Sequence, residues 1–298
     1  MKHCFVVNPE AGKGEKKLHI IPLIEKICKK RNLDYEIYVT KAKRDAVQYV
    51  KVKAVEGEKI RFYACGGDGT LLEVANGAIG FENVEITHIP SGSGNDFVKY
   101  FGGVELFQKV ENLIDGEAVE IDMIRCGDLY AINQCSMGLD AEIAMKQELF
   151  KKIPFISGHA SYYSSIFYCL LKKINNIFTI KIDDEEEFTQ NSLFCIAANS
   201  KWYGGGFYSA PLAEVNDGKL DFVIVKKTLG RLSLIPLISK FKAGEHLSWD
   251  ITQYTKGNKL IIRSTTPAAV NLDGECFFAT ECTFEIVPNA MRFVLPKK

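Results

Sequence analysis

The 298 residues lack an excess of charge of either sign: 37 Lys and Arg balance 37 Asp and Glu. A chain built to neutralise a polyanion is basic, so the total argues against a nucleic-acid binder. Nine cysteines are scattered from Cys4 to Cys282 with no C-x-x-C pair, which leaves neither a disulfide ladder nor a zinc knuckle. Free thiols in a reducing compartment follow. The five histidines, at positions 3, 19, 88, 159 and 246, never fall at metal-ligand spacing of one another. Long apolar runs are also missing. The longest, Ile166 to Leu171 and Leu193 to Ala198, fall far short of the roughly 20 residues that cross a bilayer, and Cys4 to Val7 is too short for a secretory core. A soluble, intracellular and cytoplasmic protein is expected.

What is present is an ordinary globular balance, 47% apolar and 25% charged. At about 150 residues per domain the length favours two domains. In the first part, strand-like runs at Lys2 to Val7, Tyr35 to Thr40, Ile60 to Cys65 and Glu85 to Ile89 alternate with helical patterns at Leu18 to Lys30 and Arg44 to Val55. That alternation predicts βαβ units around a parallel sheet. After about Met123 the pattern turns to strands: Leu129 to Cys135, Ile177 to Ile182, Leu193 to Asn199, Leu220 to Val225, Lys259 to Arg263 and Thr283 to Val287. Only two helical stretches, Ser161 to Lys173 and Leu232 to Phe241, interrupt them. A β-rich, mostly antiparallel second domain is expected. The division placed here is 1–123, with 288–298 as a candidate to return to it, and 124–287. The acidic run Asp183 to Glu187 reads as the solvated tip of a hairpin.

In a parallel sheet, ligands lie at the carboxyl ends of the strands. The first strand ends in Asn8-Pro9-Glu10-Ala11-Gly12-Lys13-Gly14, which is neither a Walker A loop nor a dinucleotide fingerprint. The third ends in Gly66-Gly67-Asp68-Gly69-Thr70 and leads into a helix, whose N-terminus suits a phosphate. Asp68 beside a polyphosphate calls for a bridging cation or a hydroxyl partner, unless it simply caps the helix. The fourth ends in Pro90-Ser91-Gly92-Ser93-Gly94-Asn95-Asp96. Three such loops on one edge of a sheet carry more weight than any one of them.

These residues resemble the diacylglycerol kinase catalytic-domain family, which includes sphingosine and ceramide kinases. The resemblance continues through Gly138-x-Asp140-Ala141, Gly204-Gly205-Gly206-Phe207, Ala210-Pro211, Asn216-Asp217-Gly218-Lys219-Leu220-Asp221 and Asn271-Leu272-Asp273-Gly274-Glu275, covering nearly the whole chain in order. The GGDG loop alone is shared with NAD kinases and 6-phosphofructokinases; the combination is specific.

The resemblance implies an N-terminal Rossmann-like α/β nucleotide domain, a C-terminal β-rich sandwich domain across a cleft, and ATP-dependent phosphorylation of a lipid hydroxyl, diacylglycerol first. It assigns ATP contacts to Asn8, Gly12, Lys13, Gly14, Thr40, Gly66, Gly67, Asp68, Gly69, Thr70, Glu73, Ser93 and Asn95. Ser93 stands where the family usually has Thr, and Leu72 where bacterial members often have Asn. Glu275 is the implied general base, with Asp68 as a rival and Asp273 in the same catalytic turn. A structural Mg²⁺ would use Asp217 with backbone oxygens of Glu214 and Lys219, connected through Asp96 and Asp122. A second Mg²⁺ would travel with ATP.

The acceptor leaves fainter traces. Phe150 to Leu171 is rich in aromatic residues, including Phe155, Tyr162, Tyr163, Phe167 and Tyr168; it reads as an acyl-chain pocket or as a core helix on the sheet. The first sixty residues hold 14 Lys or Arg against 8 Asp or Glu, an excess that suits anionic lipid headgroups and solvated helix faces alike. Expected partners are a lipid at the inner membrane surface, met peripherally, and a second copy of the chain by family resemblance. No nucleic acid is expected. Two other functions fit parts of the pattern: a NAD kinase-like enzyme, which shares GGDG but does not require Asp273-Gly274-Glu275, and a nucleotide-binding regulator, which has no need of a base.

Overall fold

The computed structural model describes residues 1–12, 20–150, 153, 159–171, 176–228 and 230–298. The chain divides into two compact units, Met1–Asp122 with Pro288–Lys298, and Met123–Val287.

The N-terminal unit is built on β1 (Lys2–Val7), α1 (Ile20–Lys30), β2 (Tyr35–Val39), α2 (Asp45–Val55), β3 (Ile60–Gly66), α3 (Asp68–Ala78) and β4 (Val84–Pro90), followed by the short helices α4 (Asp96–Tyr100), α5 (Val104–Phe107) and α6 (Val110–Ile114). The strands form a parallel sheet in the order β2-β1-β3-β4, in registers His3↔Tyr35, Lys2↔Ile60 and Ile60↔Val84. Every residue of β3 and β4 is buried, as expected for parallel strands covered on both faces. The sequence lets two of the covering helices approach closely. A Cβ at Gly77 of α3 would stand 2.7 Å from the Val50 Cβ of α2, so the contact requires glycine there.

The C-terminal segment joins this sheet beside β4 through Phe293↔Ile86. Phe293 meets Phe97 edge-on at 4.9 Å and stacks on Phe101 at 5.5 Å. On the same strands, the buried Arg61 guanidinium reaches Glu85 at 2.8 Å and the carbonyls of Leu113 and Ile114 at 2.7 and 2.9 Å. Arg292 approaches the other Glu85 oxygen at 2.7 Å. One buried carboxylate thereby ties β3, β4 and the returning segment.

The second unit takes in the remainder of β5 (Glu117–Cys126), β6 (Leu129–Ala131), β7 (Gln134–Gly138), α7 (Leu139–Phe150), α8 (His159–Leu171), β8 (Asn176–Ile182), β9 (Phe188–Ala198), β10 (Leu220–Lys226), α9 (Ile235–Lys242), β11 (Thr252–Gly257), β12 (Lys259–Leu272) and much of β13 (Glu275–Leu295). Its strands pair antiparallel in the order β11-β10-β9-β7-β12-β13, with β8 against both β9 and β12. One core gathers Phe178, Phe222, Leu260 and Phe284; another packs Ile166, Leu170 and Phe241 against Val223 and Ile196.

Two expectations need correction. Leu129 to Cys135 is not one strand: it breaks between β6 and β7, where the amides of Ile132 and Asn133 turn to the Asp273 carboxylate instead of a neighbouring strand. A third helical element, α7, precedes the two expected ones. Its apolar residues do not recur on one clean stripe, so periodicity misses it.

Replacing Arg61 with Met leaves Glu85 buried with a single, partly exposed partner. Urea unfolding of the N-terminal unit should show a loss of about 3 kcal/mol; a loss under about 1 kcal/mol would remove the ion pair from the account of that core.

Candidate active site

In the N-terminal sheet, β1 is followed in the chain by β2 on one side, while β3 lies on its other side. The strand order reverses there, and the loops after β1 and β3 open at that switch point, where open α/β sheets place ligands. Asn8, just past β1, donates from Nδ2 to the Thr70 hydroxyl at 3.1 Å and accepts the Glu10 amide at 2.9 Å. It therefore ties the first loop to the first turn of α3. Gly12 follows with φ of +91°, a conformation that favours glycine. Lys13 and Gly14 lie outside the described residues. Thr40, past β2, donates its amide to the Val7 carbonyl at 2.9 Å.

The loops after β3 and β4 are locked together. Gly66 accepts from the Ser91 amide at 2.8 Å. A Cβ on Gly92 would sit 2.5 Å from the Gly67 Cα, so the two backbones touch where side chains are absent. The Asp68 carboxylate then accepts the Asn95 amide at 2.6 Å on one oxygen and the Asp96 amide at 2.7 Å on the other. Asp68 thus caps α4 from a neighbouring loop. Asn95, at φ of +49°, closes the second loop on itself, accepting the Gly92 amide at 3.1 Å and donating to the Gly92 carbonyl at 2.7 Å. Ser93 is exposed between them. Glu73 caps α2, accepting the Arg44 and Ala46 amides at 2.9 and 3.3 Å.

One contributor had no sequence motif. His88 on β4 is buried and donates from Nε2 to the Gly66 carbonyl at 3.0 Å. Burial lowers its pKa to about 4, so it stays neutral and acts as a fixed prop beneath the glycine loop.

The second unit holds the other group. The β12–β13 hairpin turns through Asp273 and Gly274 with φ of +47° and +99°, the two positive values a two-residue type I′ turn requires. The Asp273 carboxylate accepts three amides: Ile132 at 2.5 Å, Asn133 at 2.9 Å and Gln134 at 2.9 Å. Asn271 accepts the Gly274 amide at 2.7 Å. Glu275 is the first residue of β13, paired with Leu272 and half-buried. Its carboxylate rides on a hairpin whose tip is fixed by four hydrogen bonds to the two side chains before it.

The acidic residues expected near a metal are dispersed. Asp96 pairs with Lys99 at 2.5 Å, and Asp122 accepts the Asn289 amide at 2.7 Å. In the other unit Asp217 accepts the Lys219 amide at 3.0 Å and pairs with Lys256 at 2.6 Å, while Glu214 is exposed. Burial works against the Lys256 charge, but the Asp217 bond and the charges of Asp221, Asp217 and Glu214 outweigh it and raise its pKa. Among the described residues no three His, Cys, Asp or Glu side chains converge as a metal cage. Asp217 carries the hard carboxylate oxygens that suit Mg²⁺, and here they meet the Lys256 ammonium.

Comparison with known proteins agrees with this layout. Residues 2–126 match the diacylglycerol kinase catalytic domain, and residues 133–295 match the YegS C-terminal NAD kinase beta sandwich-like domain. The chain belongs to this lipid kinase family. A Staphylococcus epidermidis relative, provisionally named a lipid kinase, is 28% identical over 307 residues, covering 98% of this chain and 94% of the relative. One from Staphylococcus aureus strain JH9, named likewise, is 26% identical over 305 residues with the same coverage. A crystal structure from Bacillus anthracis, provisionally described as a diacylglycerol kinase, superposes with a TM-score of 0.77 at 21% identity, over 99% of this chain and 97% of that one. That likeness shows the shared fold.

Asp140, in the Gly138-x-Asp140-Ala141 stretch of this family, sits in the first turn of α7 and is 8% exposed. Its oxygens make no well-formed hydrogen bond, and burial raises its pKa to about 6, the Ser136 hydroxyl and the first amides of α7 offsetting part of the rise. A carboxyl with a raised folded-state pKa is stabilising when protonated. Wild-type stability should fall as pH climbs from the ordinary value of 3.8 to about 6. In Asp140→Asn that fall is absent, so the stability difference between the two proteins should shift by about 3 kcal/mol in favour of the variant across that window and stay level above it. Chemical denaturation at a series of pH values checks this; a difference independent of pH would contradict it.

Proposed function

We propose that this protein is an ATP- and Mg²⁺-dependent kinase that transfers the γ-phosphoryl group of ATP to a lipid hydroxyl, with diacylglycerol as the acceptor and phosphatidic acid as the product. The observation that carries the reading is the interlock of Gly66-Gly67-Asp68-Gly69-Thr70 with Pro90 to Asp96 at a sheet switch point, backed by the family match. Glycines there let backbone amides and the N-terminus of α3 approach an anion, while Asp68 is occupied in holding the loops together. In this reading the N-terminal unit is a Rossmann-like nucleotide domain. Asn8, Gly12, Lys13, Gly14, Thr40, Gly66 to Thr70, Glu73, Ser93 and Asn95 bind or shape the ATP site.

The acceptor hydroxyl gives its proton to the Glu275 carboxylate as its oxygen bonds to the γ-phosphorus, and the bond to the β-phosphate oxygen breaks to release ADP. Asp273 acts by positioning: with its oxygens held by three amides, it fixes the turn from which Glu275 projects. The Mg²⁺ that travels with ATP would neutralise phosphate charge, while a separate structural Mg²⁺ would be held by Asp217 and the backbone oxygens of Glu214 and Lys219, with Asp96 and Asp122 as its acidic connection to the site. The acceptor lies in a membrane, so the working location is its surface. No described helix is long and apolar enough to cross one.

Purified protein incubated with labelled ATP, Mg²⁺ and mixed micelles of diacylglycerol, monoacylglycerol, sphingosine or phosphatidylglycerol should label diacylglycerol. Labelling of NAD and of no lipid would replace the reading with that of a soluble-substrate kinase. Chelating Mg²⁺ should abolish transfer. Glu275→Gln should lower kcat by roughly 10²- to 10⁴-fold with ATP affinity unchanged; unaltered turnover would remove Glu275 from the mechanism.

A further inference from the structure

A helix on the surface of a water-soluble body presents polar residues outward and apolar ones inward. α8 departs from this. Between His159 and Leu171 there is no Asp, Glu, Lys or Arg. The side turned into the unit carries Ser161, Ser165, Ile166, Cys169 and Leu170, all buried. The outward side carries Tyr163, Phe167, Tyr168 and Leu171, exposed by 56%, 61%, 39% and 62%. Tyr163, Phe167 and Leu171 recur every fourth residue and so line one stripe, with Tyr168 beside it. The inward side agrees with the reading of a core helix packed on the sheet, which leaves the exposed aromatic side to be explained.

α8 is too short to span a bilayer, since its 13 residues extend about 20 Å against a hydrocarbon core of about 30 Å. The sequence around it is cationic. Residues 146–173 contain five lysines and one acidic residue, Glu148. The lysines include the pairs Lys151-Lys152 and Lys172-Lys173, which follow α7 and α8 directly in sequence. The Lys146 ammonium lies 5.6 Å from the Tyr168 ring, at the edge of the stripe. α7 adds the exposed Leu149. Aromatic and leucine side chains flanked by lysines are the chemistry of a helix that lies in the headgroup layer, its rings at the acyl boundary and its cations on anionic headgroups. A second copy of the chain is less suited, because it would bring like charges together.

We propose that the Tyr163–Phe167–Tyr168–Leu171 face of α8 docks on an anionic lipid bilayer. This rests on the lipid-kinase reading for its purpose, since the enzyme must reach a hydroxyl held at that surface, but it is measurable without turnover. The test is flotation of the full-length protein, without ATP, on vesicles of phosphatidylcholine alone or with about 30% phosphatidylglycerol. It compares wild type with the double variant Phe167→Glu, Leu171→Glu. Both positions are solvent-exposed, and thermal unfolding confirms that the variant is folded.

Wild type should bind the anionic vesicles and bind the neutral ones weakly, and the variant should bind the anionic vesicles at least about tenfold less. Transfer to a short-chain diacylglycerol in free solution should be equal for the two proteins, while transfer to long-chain diacylglycerol in vesicles should fall in the variant. Equal vesicle binding by the two proteins overturns the proposal. So does conversion of a dimer to a monomer by the same substitutions with vesicle binding retained, which would assign the face to a second copy. Vesicle binding that is lost in the variant, from a protein that labels no lipid, supports the docking face while overturning the function proposed above.

Discussion

Everything proposed for the nucleotide side of this protein depends on one carboxylate. Asp68 accepts the amides of Asn95 and Asp96, one on each oxygen, and so fixes the loop after β4 against the loop after β3. Gly67 and Gly92 approach so closely that no side chain fits between them, and Asn8 ties the first loop in through Thr70. Charge-assisted bonds from a carboxylate to backbone amides are strong for their size, and two on one group give direction as well as energy. The result is a rigid, side-chain-poor surface at the carboxyl ends of parallel strands, which is what close approach to a phosphate requires.

The second unit solves a similar problem with the same chemistry. Asp273 takes three amides from the 132–134 turn and thereby breaks what would otherwise be a single strand. A side chain two residues further on, Glu275, inherits a defined origin. In both units the conspicuous aspartate of the motif accepts backbone amides and so shapes its loop. In the function proposed above this division has a purpose: the N-terminal unit would hold the donor, and Glu275 would serve as the base.

The regular elements were largely legible from pattern. Lys2–Val7 was legible through its apolar run Cys4 to Val7, and β3 and β4 are buried along their whole length because they are covered on both faces. The three glycine loops were visible as loops, and their shared edge followed from strand alternation. What stayed hidden was tertiary. His88 under Gly66 lies in no sequence motif, and the break at Ile132 and Asn133 is set by a carboxylate about 140 residues away. The partners of Asp96 and Asp122, Lys99 and the Asn289 amide, likewise become known only when the chain folds. α8 read as apolar in sequence, but which of its sides faces water is set by what α7 and the sheet cover.

The central claim is that the glycine loops, interlocked through Asp68 and through the close approach of Gly92 to Gly67, create the proposed nucleotide site. Gly92→Ala tests it most directly, because it adds one methyl carbon 2.5 Å from the Gly67 Cα and removes no group that could touch ATP. Calorimetric titration with MgATP should show affinity at least about tenfold weaker than wild type, in a protein whose thermal unfolding shows it to be folded. Affinity equal to wild type would contradict the account.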